Sequence, residues 1–267
     1  MTPFSVPPFE AFGTFGVVVA GLFGLIVGSF LNVVVHRLPR GESLVSPRSR
    51  CPSCGSPIAA WDNVPVLSWL ILRGRCRACR APIGVRYPAI ELADGVLWAL
   101  VFRFAPSWGD LASGALLASA CLALMAIDYD HQILPDVITL PGIAAGLALS
   151  FASVQRTPLS ALVGAAAGAG GLFLVAFTYE KIAGQEGMGL GDVKMLGMIG
   201  AFLGPAGVLV TILAASVSGS VVGVVLILTK GGDGKTRLPF GVFLAIGAIG
   251  AWFLADPLVA RYRELWP

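Results

Sequence analysis

Six stretches of this chain contain no Asp, Glu, Lys or Arg at all: residues 11–35, 111–127, 137–155, 157–179, 195–229 and 238–255. A helix crosses a bilayer's hydrocarbon, roughly 30 Å thick, with about 20 mostly apolar residues. Most of the six runs meet that length, and residues 195–229 can hold more than one helix. Composition agrees, with 12% charged residues against the roughly 25% of soluble chains. The 34 glycines suit helices that must approach one another closely in lipid. The expected fold is therefore an all-α polytopic membrane protein. The flank of the first run, MTPFSVPPFE, carries no positive charge, and the run exceeds the roughly 7–15 apolar residues of a signal-peptide core. It reads as a retained span.

Charge predicts orientation. Between His36 and Ile90 lie nine arginines (Arg37, Arg40, Arg48, Arg50, Arg73, Arg75, Arg77, Arg80 and Arg86) and two acids, Glu42 and Asp62. That segment is +7 in a chain of net charge +3, and positive charge beside spans stays in the cytoplasm. The same surface would attract anionic lipid headgroups; no nucleic-acid partner is expected. With this loop inside, eight spans follow: residues 12–35, 88–104, 111–127, 137–153, 159–179, a short helix 192–203, a second helix after Gly204-Pro205, and a last one ending near Ala255. Inner loops fall at 128–136, 184–191 and 230–237. Arg261 and Arg263 then lie outside, in mild conflict with the charge rule. Residues 192–203 rise only about 18 Å and cannot cross alone, so irregular backbone must sit at membrane depth there. Such backbone is tolerated only in protein or beside a wet cavity.

Four of the five cysteines form two pairs, Cys51-Pro-Ser-Cys54 and Cys76-Arg-Ala-Cys79, with 21 residues between them. Each Cys-x-x-Cys turn offers two thiolates, and two such turns make the four tetrahedral corners that zinc prefers. Disulfides are the rival reading, disfavoured in a reducing cytoplasm. A redox Cys-x-x-Cys would require a βαβ pattern that is missing. The set reads as a closed, structural zinc site in a zinc-ribbon-like domain between the first and second spans. Cys121, mid-span, reads as a small packing residue.

The acids near the inner face separate by depth. Asp136 follows Pro135 and precedes an apolar run, which reads as a helix N-cap; Asp130, beside His131, reads as a solvated loop acid. Asp128 directly continues a long uncharged run and is the deepest of the three. Asp192, after Gly189-Leu190-Gly191, reads equally as an N-cap or as an intramembrane carboxylate, and such carboxylates mark functional sites. Brought together, Asp128 and Asp192 would share a proton, one activating water while its protonated twin polarises a peptide carbonyl. The glycines at 187, 189 and 191 would let an extended substrate backbone approach.

Six stretches in order carry a family resemblance: residues 28–39 (GSFLNVVVHRLP), the two cysteine pairs, 63–69 (NVPVLSW) with 73–76 (RGRC), 86–91 (RYPAIE), 127–136 (IDYDHQILPD) and 187–194 (GMGLGDVK). The chain resembles the type IV prepilin peptidases, membrane aspartyl proteases with a Gly-x-Gly-Asp motif, over nearly its whole length. The resemblance implies catalytic Asp128 and Asp192, with Gly189, Gly191 and Lys194 in the active-site loop. It implies two activities at the bacterial inner membrane. One is cleavage of the short basic leader from prepilins and type II secretion pseudopilins, after a glycine at the inner face. The other is N-methylation of the exposed residue, usually phenylalanine, with S-adenosylmethionine as donor. Glu91 is a candidate for the second site, against the bland reading of an acid near a helix N-terminus. No Gly-rich nucleotide loop after a strand marks a methyl-donor pocket.

The domain boundaries expected are 1–35 for the first span, 36–88 for the basic four-cysteine domain, 89–256 for the transmembrane peptidase core and 257–267 for the tail. A proton-coupled transporter would also place aspartates in membrane helices, but it predicts matched broken helices in two halves, and only one short helix is found.

Overall fold

The computed structural model describes residues 7–184, 188–230 and 238–265. Among these residues the regular structure is helical, with no strands and only two isolated β-bridges. The chain divides into two compact units, Met1–Ala105 and Pro106–Pro267.

The first unit is a helix pair carrying the cysteine domain. α1 (Pro8–Arg37) packs against α3 (Arg86–Phe104) through a row of glycines. A Cβ at Gly24 would lie 2.8 Å from the Asp94 carbonyl and from Gly95 Cα, and one at Gly28 would lie 2.7 Å from Glu91 Cα. Gly16 meets Phe102 further along, so the two helices run antiparallel. Small residues are what allow backbones this near in lipid. At the end of α1 the buried Arg37 donates to the carbonyls of Ser43 and Pro47, both at 2.8 Å, tying the start of the cysteine domain to the helix. α2 (Leu67–Ile71) is a single short helix within that domain.

The second unit contains α4 (Trp108–His131), α5 (Asp136–Leu149), α6 (Pro158–Ala183), α7 (Leu190–Lys230) and α8 (Phe240–Leu265). Its core gathers Leu117, Leu124, Met195, Leu196, Met198, Ile199, Leu203 and Leu244 around the first half of α7. Glycines again set the spacing. A Cβ on Gly200 of α7 would overlap the Gly164 carbonyl of α6, and one on Gly146 of α5 would lie 2.9 Å from Ala201. At the start of α4, Asp110 is buried. It accepts from the hydroxyls of Ser107 (2.6 Å) and Ser153 and from the Val154 amide (3.2 Å). The Ser107 side chain in turn accepts from the Asp110 amide, a reciprocal cap that the sequence reading did not single out.

Five helices among the described residues are long and apolar enough to cross a membrane: α1, α4, α6, α7 and α8, while α5 is a shorter apolar helix. α7 holds two rods, because Gly204 adopts φ 68°, ψ −177° before Pro205. That is the break expected at Gly204-Pro205. The short rod starts at Leu190, two residues before the expected Asp192, and Leu190–Leu203 rises roughly 21 Å, still less than the hydrocarbon. Two loop expectations are corrected. α4 continues to His131, so Asp128 and Asp130 lie on its last turn, Asp130 as an exposed helical residue. Asp136 is not a cap: α5 starts at Asp136, Pro135 holds the cap position, and no side chain caps the helix. Of the expected basic loop 230–237, residues 231–237 lie outside the described residues, as does Gly187.

The α6–α7 crossing is a direct test of the glycine packing. Gly200→Ala is expected to destabilise the protein in detergent by about 1–3 kcal/mol. Gly170→Ala, whose added methyl meets nothing within 4 Å, should leave the thermal midpoint unchanged or slightly raised. Equal midpoints for the two variants would refute the packing argument.

Candidate functional site

Asp128 sits on the last turn of α4 with 5% of its surface exposed. Its Oδ2 accepts from the Val242 amide of α8 at 3.2 Å. The helix then ends on Gln132, which adopts φ 52° and returns its amide to the Asp128 carbonyl, turning the chain toward Leu134. Asp192 lies on the first turn of α7, its amide donating to the Gly189 carbonyl at 3.2 Å. Both aspartates, with Gln132, Leu134, Asp136, Gly189, Gly191 and Lys194, line one cavity of about 310 Å³. Gly191 is needed for close approach, since a Cβ there would lie 3.0 Å from Leu134 Cβ; Gly189 has more room. A larger cavity, about 390 Å³, is lined by Arg156, Ser160, Leu203, Pro205 and Ala206 at the break of α7, and Asp256 of α8. Its one ion pair, Arg156 to Asp256 at 2.9 Å, offers no pair of acids, so the smaller cavity is the chemically equipped one.

Lys194 donates to both carboxylate oxygens of Asp136 at 2.8 Å. This pair bridges the start of α5 and the first turns of α7, and it replaces the cap expected of Asp136. Its effect on the cavity is electrostatic: the ammonium is neutralised by Asp136 and not spent on Asp128 or Asp192. The residues missed at sequence level are Val242 and Gly241. A Cβ on Gly241 would lie 2.8 Å from Asp128 Oδ2, and within an uncharged run nothing distinguished that glycine from its neighbours.

In the other unit the four cysteine sulfurs all lie within 4.8 Å of one another, and all five cysteines of the chain are free thiols. Two knuckles of the same design bring them together. Each is closed by an antiparallel bridge, Arg50 to Pro57 and Arg75 to Pro82. In each, the first cysteine's amide bonds back across the turn, Cys51 to Ser56 and Cys76 to Ala81, both at 2.9 Å. Each turns on a left-handed residue, Gly55 at φ 72° and Arg80 at φ 61°. The separation of Cys51 and Cys79 sulfurs, 3.8 Å, matches the roughly 3.8 Å between corners of a tetrahedron with zinc–sulfur bonds of about 2.3 Å. Ser56 beside Cys54 draws that thiol down to about 6, and the amides of Cys79 and Ala78 draw Cys76 down. The Ala81 amide also draws on Cys79, but desolvation and the sulfurs of Cys54, Cys76 and Cys51 carry it up to about 11. Four sulfurs this close do not all ionise without a cation among them, so the donor set fits a metal. Arg77 supports the second knuckle through a two-pronged bond to Asp62, at 2.7 and 2.6 Å, which holds the Asp62 carboxyl below its usual range.

Glu91 lies near the start of α3 and accepts the Val66 amide at 2.7 Å. Val66 is held at φ 60°, ψ −49°, a conformation that a β-branched residue adopts only under constraint. The carboxylate therefore anchors the turn into α2.

Asp128 and Asp192 thus share one cavity, at helix ends in a bundle of apolar helices. Residues 22–104 match the family model of the bacterial Peptidase A24 N-terminal domain, and residues 115–224 match that of the type IV leader peptidase family. Proteins named "Prepilin leader peptidase/N-methyltransferase" are similar along most of their length. That of Stutzerimonas stutzeri is 40% identical over 93% of this chain and 94% of its own. That of Burkholderia pseudomallei strain 1026b is 42% identical over 88% and 84%, and that of Myxococcus xanthus strain DK1622 is 43% identical over 88% and 69%. No solved structure matches the chain. The chain belongs to the type IV leader peptidase family.

The Asp136–Lys194 pair is half-exposed at both ends, so its coupling should be small. A double-mutant cycle of Asp136→Asn and Lys194→Met, read by unfolding in mixed micelles, is expected to give about 0.2–1 kcal/mol. Strict additivity would mean that the two side chains do not interact.

Proposed function

We propose that this chain is a bifunctional membrane enzyme that cleaves the leader from type IV prepilins and type II secretion pseudopilins and then N-methylates the new terminus. The observation that carries the peptidase half is the placement of Asp128 and Asp192 on one cavity, at the end of α4 and the start of α7. As the catalytic pair they work with one shared proton. The ionised carboxylate takes a proton from water as its oxygen attacks the scissile carbonyl carbon, and the protonated carboxyl gives its proton to the carbonyl oxygen. Collapse of the tetrahedral intermediate breaks the C–N bond, and the leaving nitrogen takes a proton from the pair. Gly189 and Gly191 admit the substrate backbone beside the dyad, and Lys194, held by Asp136, borders the same cavity. Asp130, exposed on the helix, has no part.

The methyl-transfer half uses S-adenosylmethionine as methyl donor. Glu91 belongs to it as a positioning residue, through its bond to the Val66 amide. Zinc is the metal that Cys51, Cys54, Cys76 and Cys79 hold; with four protein ligands and no open position it stabilises the domain and takes no part in chemistry. The protein resides in the bacterial inner membrane. Residues 36–88 form a cytoplasmic domain and residues 89–256 the peptidase core. The basic domain faces the anionic leaflet, a placement supported by its +7 balance and by the exposed apolar surfaces of Trp61, Leu67 and Ile71.

Purified protein incubated with a prepilin in detergent, with and without S-adenosylmethionine, separates the two activities. Asp128→Asn and Asp192→Asn should each abolish cleavage, Asp130→Asn should keep most of it, and wild-type activity should fall on both the acid and alkaline sides. Robust product from either of the first two variants sinks the dyad. Elemental analysis should find about one zinc per chain and markedly less in Cys51→Ser; a metal-free wild type would remove zinc from the account. Labelling of the cysteine domain from the periplasmic side of intact cells would overturn the topology.

A further inference from the structure

Asp128 is reached by an element that none of the sequence motifs contains. α8 begins at Phe240, and the amide of Val242 donates to Asp128 Oδ2 at 3.2 Å. The residue before it, Gly241, is buried. A Cβ on Gly241 would lie 2.8 Å from that same oxygen, 3.1 Å from Asp128 Cγ and 3.0 Å from Leu134 Cδ2. The backbone does not demand glycine here, because Gly241 is not among the residues at positive φ. Alanine is conformationally allowed, and the only objection to it is what stands opposite.

We infer that Gly241 is a positioning residue for peptide cleavage: its lack of a side chain lets the Asp128 carboxylate settle onto the start of α8, where the Val242 amide fixes one of its oxygens. The inference rests on the reading of Asp128 as catalytic. A free aspartate rotates about two bonds, whereas one hydrogen-bonded to the backbone of a packed helix has a single orientation. Leu134 completes the fit. A Cβ on Gly241 would meet it on one side and a Cβ on Gly191, next to Asp192, on the other, each at 3.0 Å. The two glycines thus let one leucine wedge set the gap between the elements that carry the acids. A methyl group at 241 pushes the carboxylate off the Val242 amide, and a misplacement of about 1 Å costs roughly 100-fold in rate.

The test measures kcat and KM for prepilin cleavage, and methylation of an already cleaved pilin, in five proteins: wild type, Gly241→Ala, Gly250→Ala, the double variant Gly241→Ala/Leu134→Ala, and Asp128→Asn. Gly241→Ala should lose about 10- to 100-fold in kcat with KM and methylation unchanged. Gly250→Ala, in the same helix with nothing within 4 Å of its added methyl, should match wild type. The double variant should stay impaired, because the clash with the carboxylate remains. Wild-type kcat in Gly241→Ala overturns the inference. So does recovery of kcat in the double variant, which would assign the clash to Leu134, and so does loss of methylation together with cleavage, which would make the residue merely structural. Cleavage by Asp128→Asn is a different failure, that of the catalytic reading itself; an inactive Asp128→Asn beside a normal Gly241→Ala leaves that reading standing and removes only Gly241.

Discussion

A carboxylate at the end of one membrane helix and the unpaired amides at the start of another have the same difficulty: neither finds a partner in hydrocarbon. In this protein the two meet, the Val242 amide being shared between Asp128 at 3.2 Å and the Pro239 carbonyl at 3.3 Å. Asp128, at the last turn of α4, accepts from Val242 at the first turn of α8, and that contact closes a bundle whose other members are arranged around it. α7 packs against α8 along its length and lies beside α5 and α6, so Asp192 enters the cavity from a helix already held on three sides. The polar cavity is where the end of α4 meets the starts of α5 and α7, and Asp128 is buried there while Asp192 is partly covered.

Lipid offers no hydrophobic drive to bring α5, α6 and α7 together, so close backbone contact has to do it. The glycines at 142, 146, 164, 168 and 200 are placed where an added Cβ would strike Met198, Ala201, Gly204, Leu196 or Gly164. These contacts fall on the short first rod of α7, which is the part that carries Asp192. Gly204 then ends the rod by adopting a backbone conformation that residues with side chains disfavour. A rod too short to cross the bilayer is stable here because nearly its whole surface is buried, with Met195, Met198 and Ile199 fully enclosed.

Sequence reading reached the helices through their uncharged runs and the cysteine cluster through ligand chemistry, because both signals are local. It ended α4 at Asp128 and took Asp130 for a loop acid, although acids are tolerated on a last turn that His131 and the left-handed Gln132 then close. It made Asp136 a cap because a cap is the nearest use for an acid after proline. The true partner, Lys194, lies 58 residues away, and no local pattern encodes a distance of that kind. Gly241 escaped for a similar reason. One glycine among many in an apolar run acquires meaning only when the atom opposite it, Asp128 Oδ2, is known.

The two cysteine knuckles share a backbone but not a cost. Gly55 adopts its left-handed turn freely, whereas Arg80 occupies the equivalent position at φ 61° with a side chain that disfavours it by about 1–2 kcal/mol. The bridge from Arg75 to Pro82 and the Cys76–Ala81 bond help to offset that cost and keep the knuckle closed. The half built on Cys76 and Cys79 is therefore under tension, and the half built on Cys51 and Cys54 is relaxed. The two knuckles thus reach one sulfur arrangement by unequal means, at a backbone cost in the second and at none in the first.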